Sequence, residues 1–200
     1  MGAADRRQRE RETRKLAILE AAAAVFGAHG YQQAPMEAIA EKARVNIATV
    51  YYYYASKELL YVAFLGTAID SALPDLEREA RSSAPAPERV RAMTRIYDDF
   101  HRRHPDLLVI ADYASGPPDG RDDFADHALD VARRALSTAS ASLAAGVEKG
   151  ELRDLDAETT TLVLWASLHG VLDAAARIDG DRSALVGRWL EVSLTGLVRN

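Results

Sequence analysis

Cysteine is absent from the 200 residues. That excludes a disulfide framework and thiolate metal or redox chemistry, and it fits a reducing, cytoplasmic home. The N-terminus, Met1 to Arg7, is charged and lacks the apolar core of a secretory leader. Apolar runs that approach a membrane span are lacking, so no integral membrane protein and no membrane partner is expected. Period-two alternation is missing throughout, which leaves no basis for strands. Several signatures of catalysis are also missing. There is no phosphate-cradling Gly-Lys-Ser/Thr loop, no Gly-x-Ser-x-Gly elbow and no paired-carboxylate pattern, and no cofactor is implied. The Asp/Gly stretches near Asp119 and Asp179 lack calcium-loop periodicity and read as turns. His101 and His104 share a helix face, but no third ligand is evident and Arg102 and Arg103 lie between them, so no metal is expected.

What is present is helix-forming and apolar enough to fill a core, with 48% hydrophobic and 28% charged residues. The charge is uneven. Residues 1–57 hold nine Lys/Arg against six Asp/Glu, a net +3, while the whole chain carries −5 and the other 143 residues therefore −8. A basic head on an acidic body is expected where only one end meets nucleic acid.

Residues 1–12 read as a flexible basic arm or a frayed helix start. From Thr13, the recurrence of Leu16, Leu19, Ala23 and Phe26, widened by Ile18, Ala22 and Val25, predicts a helix ending at Gly27 and Gly30. Pro35 suits the first position of a second, short helix with Met36, Ile39, Ala40 and Ala43 inward. Asn46 is a good N-cap for a third, from Ile47 to Tyr53. A long helix, then two short ones joined by a tight turn, describe a helix-turn-helix. With Val50 at the core direction and ~100° per residue, Tyr54 and Ile47 fall inward, Ala48 and Tyr52 outward, and Thr49 and Tyr51 on the flanks. Tyr53 lies at the boundary. The outward face suits a groove edge or a phosphate better than it suits burial.

These residues carry a resemblance to a known family. Ile18-Leu19-Glu20-Ala21-Ala22, Phe26, Gly30-Tyr31, Ile39-Ala40 with Ala43, and Val45 to Tyr54 with Ser56-Lys57-Glu58-Leu59-Leu60 resemble the TetR family of bacterial transcription regulators. The likeness is strong over the first third and only architectural beyond it. The family usually has Gly where Arg44 stands, Ser at Asn46, Gly at Ala48, Phe at Tyr54 and a Thr pair at Ala34-Pro35. The missing Thr hydroxyls remove an expected phosphate contact, which Arg44 is placed to replace. Ile47, often Lys in the family, is assigned to the core. The resemblance implies that Thr49, Tyr51 and Tyr52 meet the major groove or its walls, with Asn46 and Ala48 beside them. It also implies that Tyr53 and Lys57 hold phosphates, Arg44 and an N-terminal arginine assisting. Ser56 caps the next helix, whose free N–H groups with Lys57 form a candidate anion site.

Residues 56–83 continue as a helix that Pro74 should kink or interrupt, and 81–87 form a linker. Further helices are expected at 88–104, 106–114, 124–149, 156–178 and 181–198, about nine in all. The fold class is all-α: a three-helix DNA-binding domain at 13–57, then a helical effector-binding and dimerisation domain at 58–200. The segment Thr161 to Asp173 is too apolar for a surface helix, and Leu185, Trp189, Val192 and Gly196 share a face of the last helix. Helices 156–178 and 181–198 are therefore expected to pair two chains in a four-helix homodimer interface.

Tyr97, Phe100, His104, Tyr113, Phe124, Trp165, His169 and Asp173 are aromatic or ionisable groups in apolar helices. Trp165, His169 and Asp173 form one stripe at steps of four. Singly each reads as a core residue; together they suggest a pocket for a small, mainly apolar effector. The expected function is a ligand-responsive regulator, a repressor that binds palindromic double-stranded DNA as a homodimer. A small-molecule binding protein with a vestigial DNA-binding head, and an α-helical enzyme using His104, His169 or Asp173, stay open as alternatives.

Overall fold

The computed structural model describes residues 2–106, 123–177 and 180–198. Among the described residues there are eight helices: α1 Ala3–Gln33, α2 Met36–Lys42, α3 Ile47–Tyr53, α4 Lys57–Ala80, α5 Ala86–Arg103, α6 Asp123–Glu148, α7 Ala157–Arg177 and α8 Arg182–Leu197. The fold is all-α, as expected. The helix expected at 106–114 lies outside the described residues. The only extended pairing among the described residues is an isolated bridge between Leu152 and Val198. The chain forms two compact units, one of Met1–Ala68 with Asp106–Leu129 and one of Ile69–Pro105 with Asp130–Asn200.

In the first unit, α1 begins at Ala3, so the segment expected as an arm or frayed start is helical. The helix runs through Gly27 and breaks at Gly30, whose φ of +71° is readily available only to glycine; one turn, Tyr31–Gln33, follows. The buried stripe matches the expected one except at its start, where Lys15 takes the place of Leu16, and at Ala23, which is half-buried. Leu16 is 53% exposed, whereas Lys15, Ile18, Leu19, Ala22, Val25 and Phe26 are buried. The lysine is tolerated because its aliphatic stem can cover apolar surface. Pro35 precedes α2 as its N-cap and does not enter the helix. Phe26, Tyr31, Tyr61 and Phe64 form an aromatic core, with Phe26 edge-on to Tyr61 at 4.8 Å. Gly66 is required where α4 meets α6, since a Cβ there would lie 2.7 Å from the Ala128 backbone.

Helix α4 runs through Pro74 without interruption, contrary to expectation. A proline removes one intrahelical hydrogen bond; the buried anchors Leu73 and Ala80 on either side keep the helix in place. By length and composition α4 is also apolar enough to cross a membrane, which the sequence reading had excluded for every segment. Its Leu59–Leu65 stretch is instead buried within the first unit, as befits a core helix.

The second unit is built on Ala80, Ala86, Val90, Met93, Leu143, Leu152, Leu194 and Leu197. Helix α5 starts at Ala86, two residues before the expected Glu88, because Pro87 fits its first turn. Gly150, with φ of +71°, closes the chain beyond α6. Asp156 accepts from the Thr159 N–H at 2.7 Å ahead of α7, and Asp181 caps α8 through the Ala184 N–H at 3.1 Å.

Candidate nucleic-acid interface

Helix α3 is only seven residues long and cannot hold itself together by propensity. Two devices fix it. At its start the Asn46 side-chain oxygen accepts from the Thr49 N–H at 2.7 Å and from the Thr49 hydroxyl at 2.8 Å. At its end Val50 and Tyr54 are fully buried, and the Tyr54 hydroxyl donates to the Lys15 carbonyl at 3.4 Å. Tyr54 lies one residue past the helix in extended backbone. Anchored on that side, α3 turns its opposite face outward. Tyr52 is 74% exposed and Tyr51 45%, while Asn46 and Ala48 are exposed and Thr49 and Tyr53 half-buried. The Tyr52 and Tyr53 rings meet edge-on at 5.1 Å. Ile47 is half-buried, so it is not the full core residue expected.

The turn between α2 and α3 rests on Arg44, which is exposed and has φ of +55°. Non-glycine residues reach that region at a cost of roughly 1 kcal/mol. Val45 N–H bonds the Ala40 carbonyl at 3.0 Å and locks the turn. The left-handed residue closes the C-terminus of α2 in the way glycine usually does.

The start of α4 differs from the anion site expected there. Ser56 accepts from the Leu59 N–H at 3.1 Å. The Glu58 carboxyl is held below its usual range by its own backbone N–H, then by Ser56 and Tyr31. Burial, then the same Glu58 contact, pushes the Tyr31 hydroxyl up to about 12. Two donors at the helix end are thus already taken. Lys57 donates to the Gln32 carbonyl at 3.0 Å and lies 5.3 Å from the Tyr31 ring centre. An ammonium has three donors, so two remain. On α1, Arg6, Arg9, Glu10, Thr13, Arg14 and Ala17 line a groove, with Arg6 paired to Glu10.

In the second unit, some expected pocket residues come together. The Tyr97 hydroxyl and His169 Nδ1 are 2.9 Å apart, and the Trp165 ring lies 6.0 Å from His169. Asp173 is close enough to favour protonation of His169, though burial outweighs it and lowers the His169 pKa. The Phe100 and His104 rings lie 4.6 Å apart, tilted by 48° to each other, at the end of α5. Burial, then Arg103, takes His104 down to about 4. Tyr113 and the Phe124 side chain lie outside the described residues. In the sequence His101 stands out only as half of a His-x-x-His pair. It is buried, stands edge-on to His169 at 5.0 Å and has Arg182 Nη2 3.3 Å from its Nδ1. Arg182 is in turn bound to Asp98 at 2.7 Å, with Arg102 on the other carboxylate oxygen at 2.6 Å. The His101–Arg182 contact joins residues 81 positions apart and had no local signal. Among the described residues no group of three or more side chains is placed to hold a metal.

Helices α7 and α8 expose an apolar strip. Leu162, Val163 and Val192 are 47%, 61% and 65% exposed, with Ala166, Gly170, Gly187 and Gly196 exposed among them. The Trp189 indole N–H donates to the Ser167 hydroxyl at 3.0 Å and ties the two helices together.

Comparison with known proteins adds the following. Residues 18–64 match the family model described as bacterial regulatory proteins, tetR family. The chain is 28% identical over 176 residues to the HTH-type transcriptional regulator RutR of Escherichia coli K12, covering 87% of this chain and 81% of RutR. It is 32% identical over 110 residues to the HTH-type transcriptional activator FasR of Mycolicibacterium smegmatis, covering 54% of this chain and 50% of FasR. Its fold is similar to that of the transcriptional regulator FadR from Bacillus subtilis, solved in complex with stearoyl-CoA. That match has a TM-score of 0.65 and 19% identity over 90% of this chain and 98% of FadR.

Proposed function

The chain is a TetR-family transcriptional regulator with an N-terminal helix-turn-helix, and from that premise we propose that it is a ligand-released repressor that binds palindromic DNA as a homodimer. The observation that carries this reading is the two-sidedness of α3 and the residue that follows it: Val50 and Tyr54 are fully buried, whereas Tyr51 and Tyr52 are 45% and 74% exposed. Phenols combine a hydrogen-bonding tip with an apolar ring and suit both groove edges and phosphates.

Residues 13–57 supply the reading head. Thr49, Tyr51 and Tyr52 meet the major groove, with Asn46 and Ala48 beside them. The Thr49 hydroxyl gives its hydrogen to Asn46, so toward DNA it acts as an acceptor, matched to a cytosine or adenine amino group. Tyr53, Arg44 and the two free donors of Lys57 hold phosphates, and the arginines of the first turns of α1 assist. The contact at the start of α4 rests on the lysine, because the helix end is occupied.

Residues 58–200 bind the effector and pair the chains. The exposed strip on α7 and α8, apolar with small residues between, is the surface a second copy would cover. Two heads about 34–36 Å apart, or a multiple of that, fit half-sites on one face of the duplex. The effector is a small, mainly apolar molecule held near Tyr97, Trp165, His169 and Asp173, with Phe100 and His104 as further candidate walls. The solved structure with stearoyl-CoA gives a precedent for a ligand with a long apolar chain on this fold. Binding would shift α4 and spread the heads.

The test is an electrophoretic shift with palindromic DNA taken from beside the protein's own gene. A salt-sensitive complex of one dimer per site supports the reading. Absence of a shift with any such DNA, together with small-molecule binding, would favour a ligand-binding protein with an idle head.

A further inference from the structure

Hydrogens in the buried cluster of the second unit can be placed by elimination. Arg182 Nη2, 3.3 Å from His101 Nδ1, can only donate. His101 Nδ1 is therefore the acceptor, and in the neutral ring the hydrogen sits on Nε2. That N–H has no partner among the described residues, although His101 is only 1% exposed. A similar chain runs on the other side. The Tyr97 hydroxyl lies 2.9 Å from His169 Nδ1, and a phenol that donates there makes Nδ1 the acceptor. His169, 5% exposed, then also carries its hydrogen on Nε2. Two neutral imidazoles, edge-on at 5.0 Å, thus hold donors in a buried setting, and one of them is left without an acceptor.

A buried donor without a partner is costly, roughly 1–3 kcal/mol, and a core built only for stability would place an apolar side chain at His101. We propose that His101, with His169 beside it, is the head-group clamp of the effector site and takes an uncharged oxygen acceptor: the carbonyl of a ketone, ester, lactone or amide. This rests on the effector reading above and names the ligand's chemistry. An ammonium, which can only donate, has nothing to bond to at His101 Nε2, and a carbonyl oxygen accepts there without needing a partner for a hydrogen of its own. A carboxylate is disfavoured as well. It would bring an unpaired charge near Asp173, and the nearby cation, Arg182, is committed to Asp98 through Nε at 2.7 Å and through Nη2 to the Asp98 carbonyl at 3.2 Å. Burial, then the neighbouring His169 and Arg182, takes His101 down to about 4, so the ring stays neutral near pH 7.

The experiment uses the full-length protein and calorimetric titration with 2-nonanone, δ-decalactone and acetophenone, each beside the hydrocarbon and the carboxylic acid of the same skeleton. The carbonyl compounds are expected to bind about tenfold more tightly than their counterparts, the value of one buried hydrogen bond. His101→Leu should remove that preference. His101→Gln, which keeps a donor, should retain most of it, and circular dichroism of both variants separates lost binding from lost fold. Failure of all three carbonyl compounds to outbind their counterparts, or an unchanged preference in folded His101→Leu, overturns the clamp. Operator shifts run in parallel keep the two readings apart. A carbonyl compound that binds through His101 but leaves the DNA complex intact sinks ligand release and leaves the clamp. A compound that releases DNA equally from His101→Leu sinks the clamp and leaves ligand release.

Discussion

Arg44→Gly separates strain from function at the turn before α3. Arg44 holds φ of +55° and is exposed. Glycine adopts that backbone freely, which removes about 1 kcal/mol of strain, while its extra freedom in the unfolded chain returns a similar amount. The net change in stability should lie within about 1 kcal/mol of zero, so Tm should stay within about 3 °C of the wild-type value. DNA binding should respond differently. Each phosphate contact contributes a slope of about 0.9 in log K against log salt. At ~0.1 M salt that is a factor of about eight per contact, or about sixty for the two heads of a dimer. Fluorescence anisotropy with an operator duplex over about 50 to 300 mM NaCl should show affinity falling by about that factor and the slope shrinking by about 1.8. Arg44→Lys should keep most of both. An Arg44→Gly protein that binds with unchanged slope and affinity would show that the arginine does not touch the backbone. A Tm lowered by much more than about 3 °C would show that it holds the fold instead.

Asn46→Ala loses the cap on Thr49 and should cost about 1 kcal/mol of stability. Asn46→Asp keeps the cap yet places a negative charge toward DNA, so its Tm should hold while operator affinity drops at least tenfold; equal affinity would refute the placement of Asn46. Acid should destabilise the protein. His101 and His104 have folded pKa values of about 4, below the ~6.5 of an unfolded histidine. Their contribution is complete above about pH 6.5 and lost as pH falls toward 4. Thermal melts that are flat between pH 7 and 4 would contradict this. Val163→Glu with Val192→Glu should give monomers in sedimentation at micromolar concentration, whereas an unchanged dimer mass would remove α7 and α8 from the interface.

The recognition helix was the most legible part of the chain, because a seven-residue helix with one buried side leaves little to tertiary choice. Period and cap chemistry suffice there, and the assigned directions of Val50, Tyr52 and Tyr54 agree with their burial. Where two side chains compete for one site, local pattern is weaker. Leu16 yielded the core position to the stem of Lys15, since the exact rotation of a long helix is set by its neighbours. Gly27 was read as a helix end although a helix carried by tertiary packing tolerates glycine. Long-range polar contacts left no trace at all. Arg89, 2% exposed, donates to the Ser142 side chain at 3.0 Å, the Ser142 carbonyl at 2.9 Å and the Ala84 carbonyl at 2.6 Å. Its sequence context is that of an ordinary surface arginine. The His101 contacts with Arg182 and His169 were hidden for the same reason: each partner is distant in the chain.

DNA reading falls to the outward face of α3, and Tyr52 tests that role most directly. Its ring is 74% exposed, so Tyr52→Ala should leave Tm within about 1 °C. Anisotropy with the palindromic duplex from beside its own gene should then show binding weakened by roughly ten- to a hundredfold, the loss of one contact of about 1–3 kcal/mol. Binding as tight as that of the wild-type protein would contradict the claim that this face reads DNA.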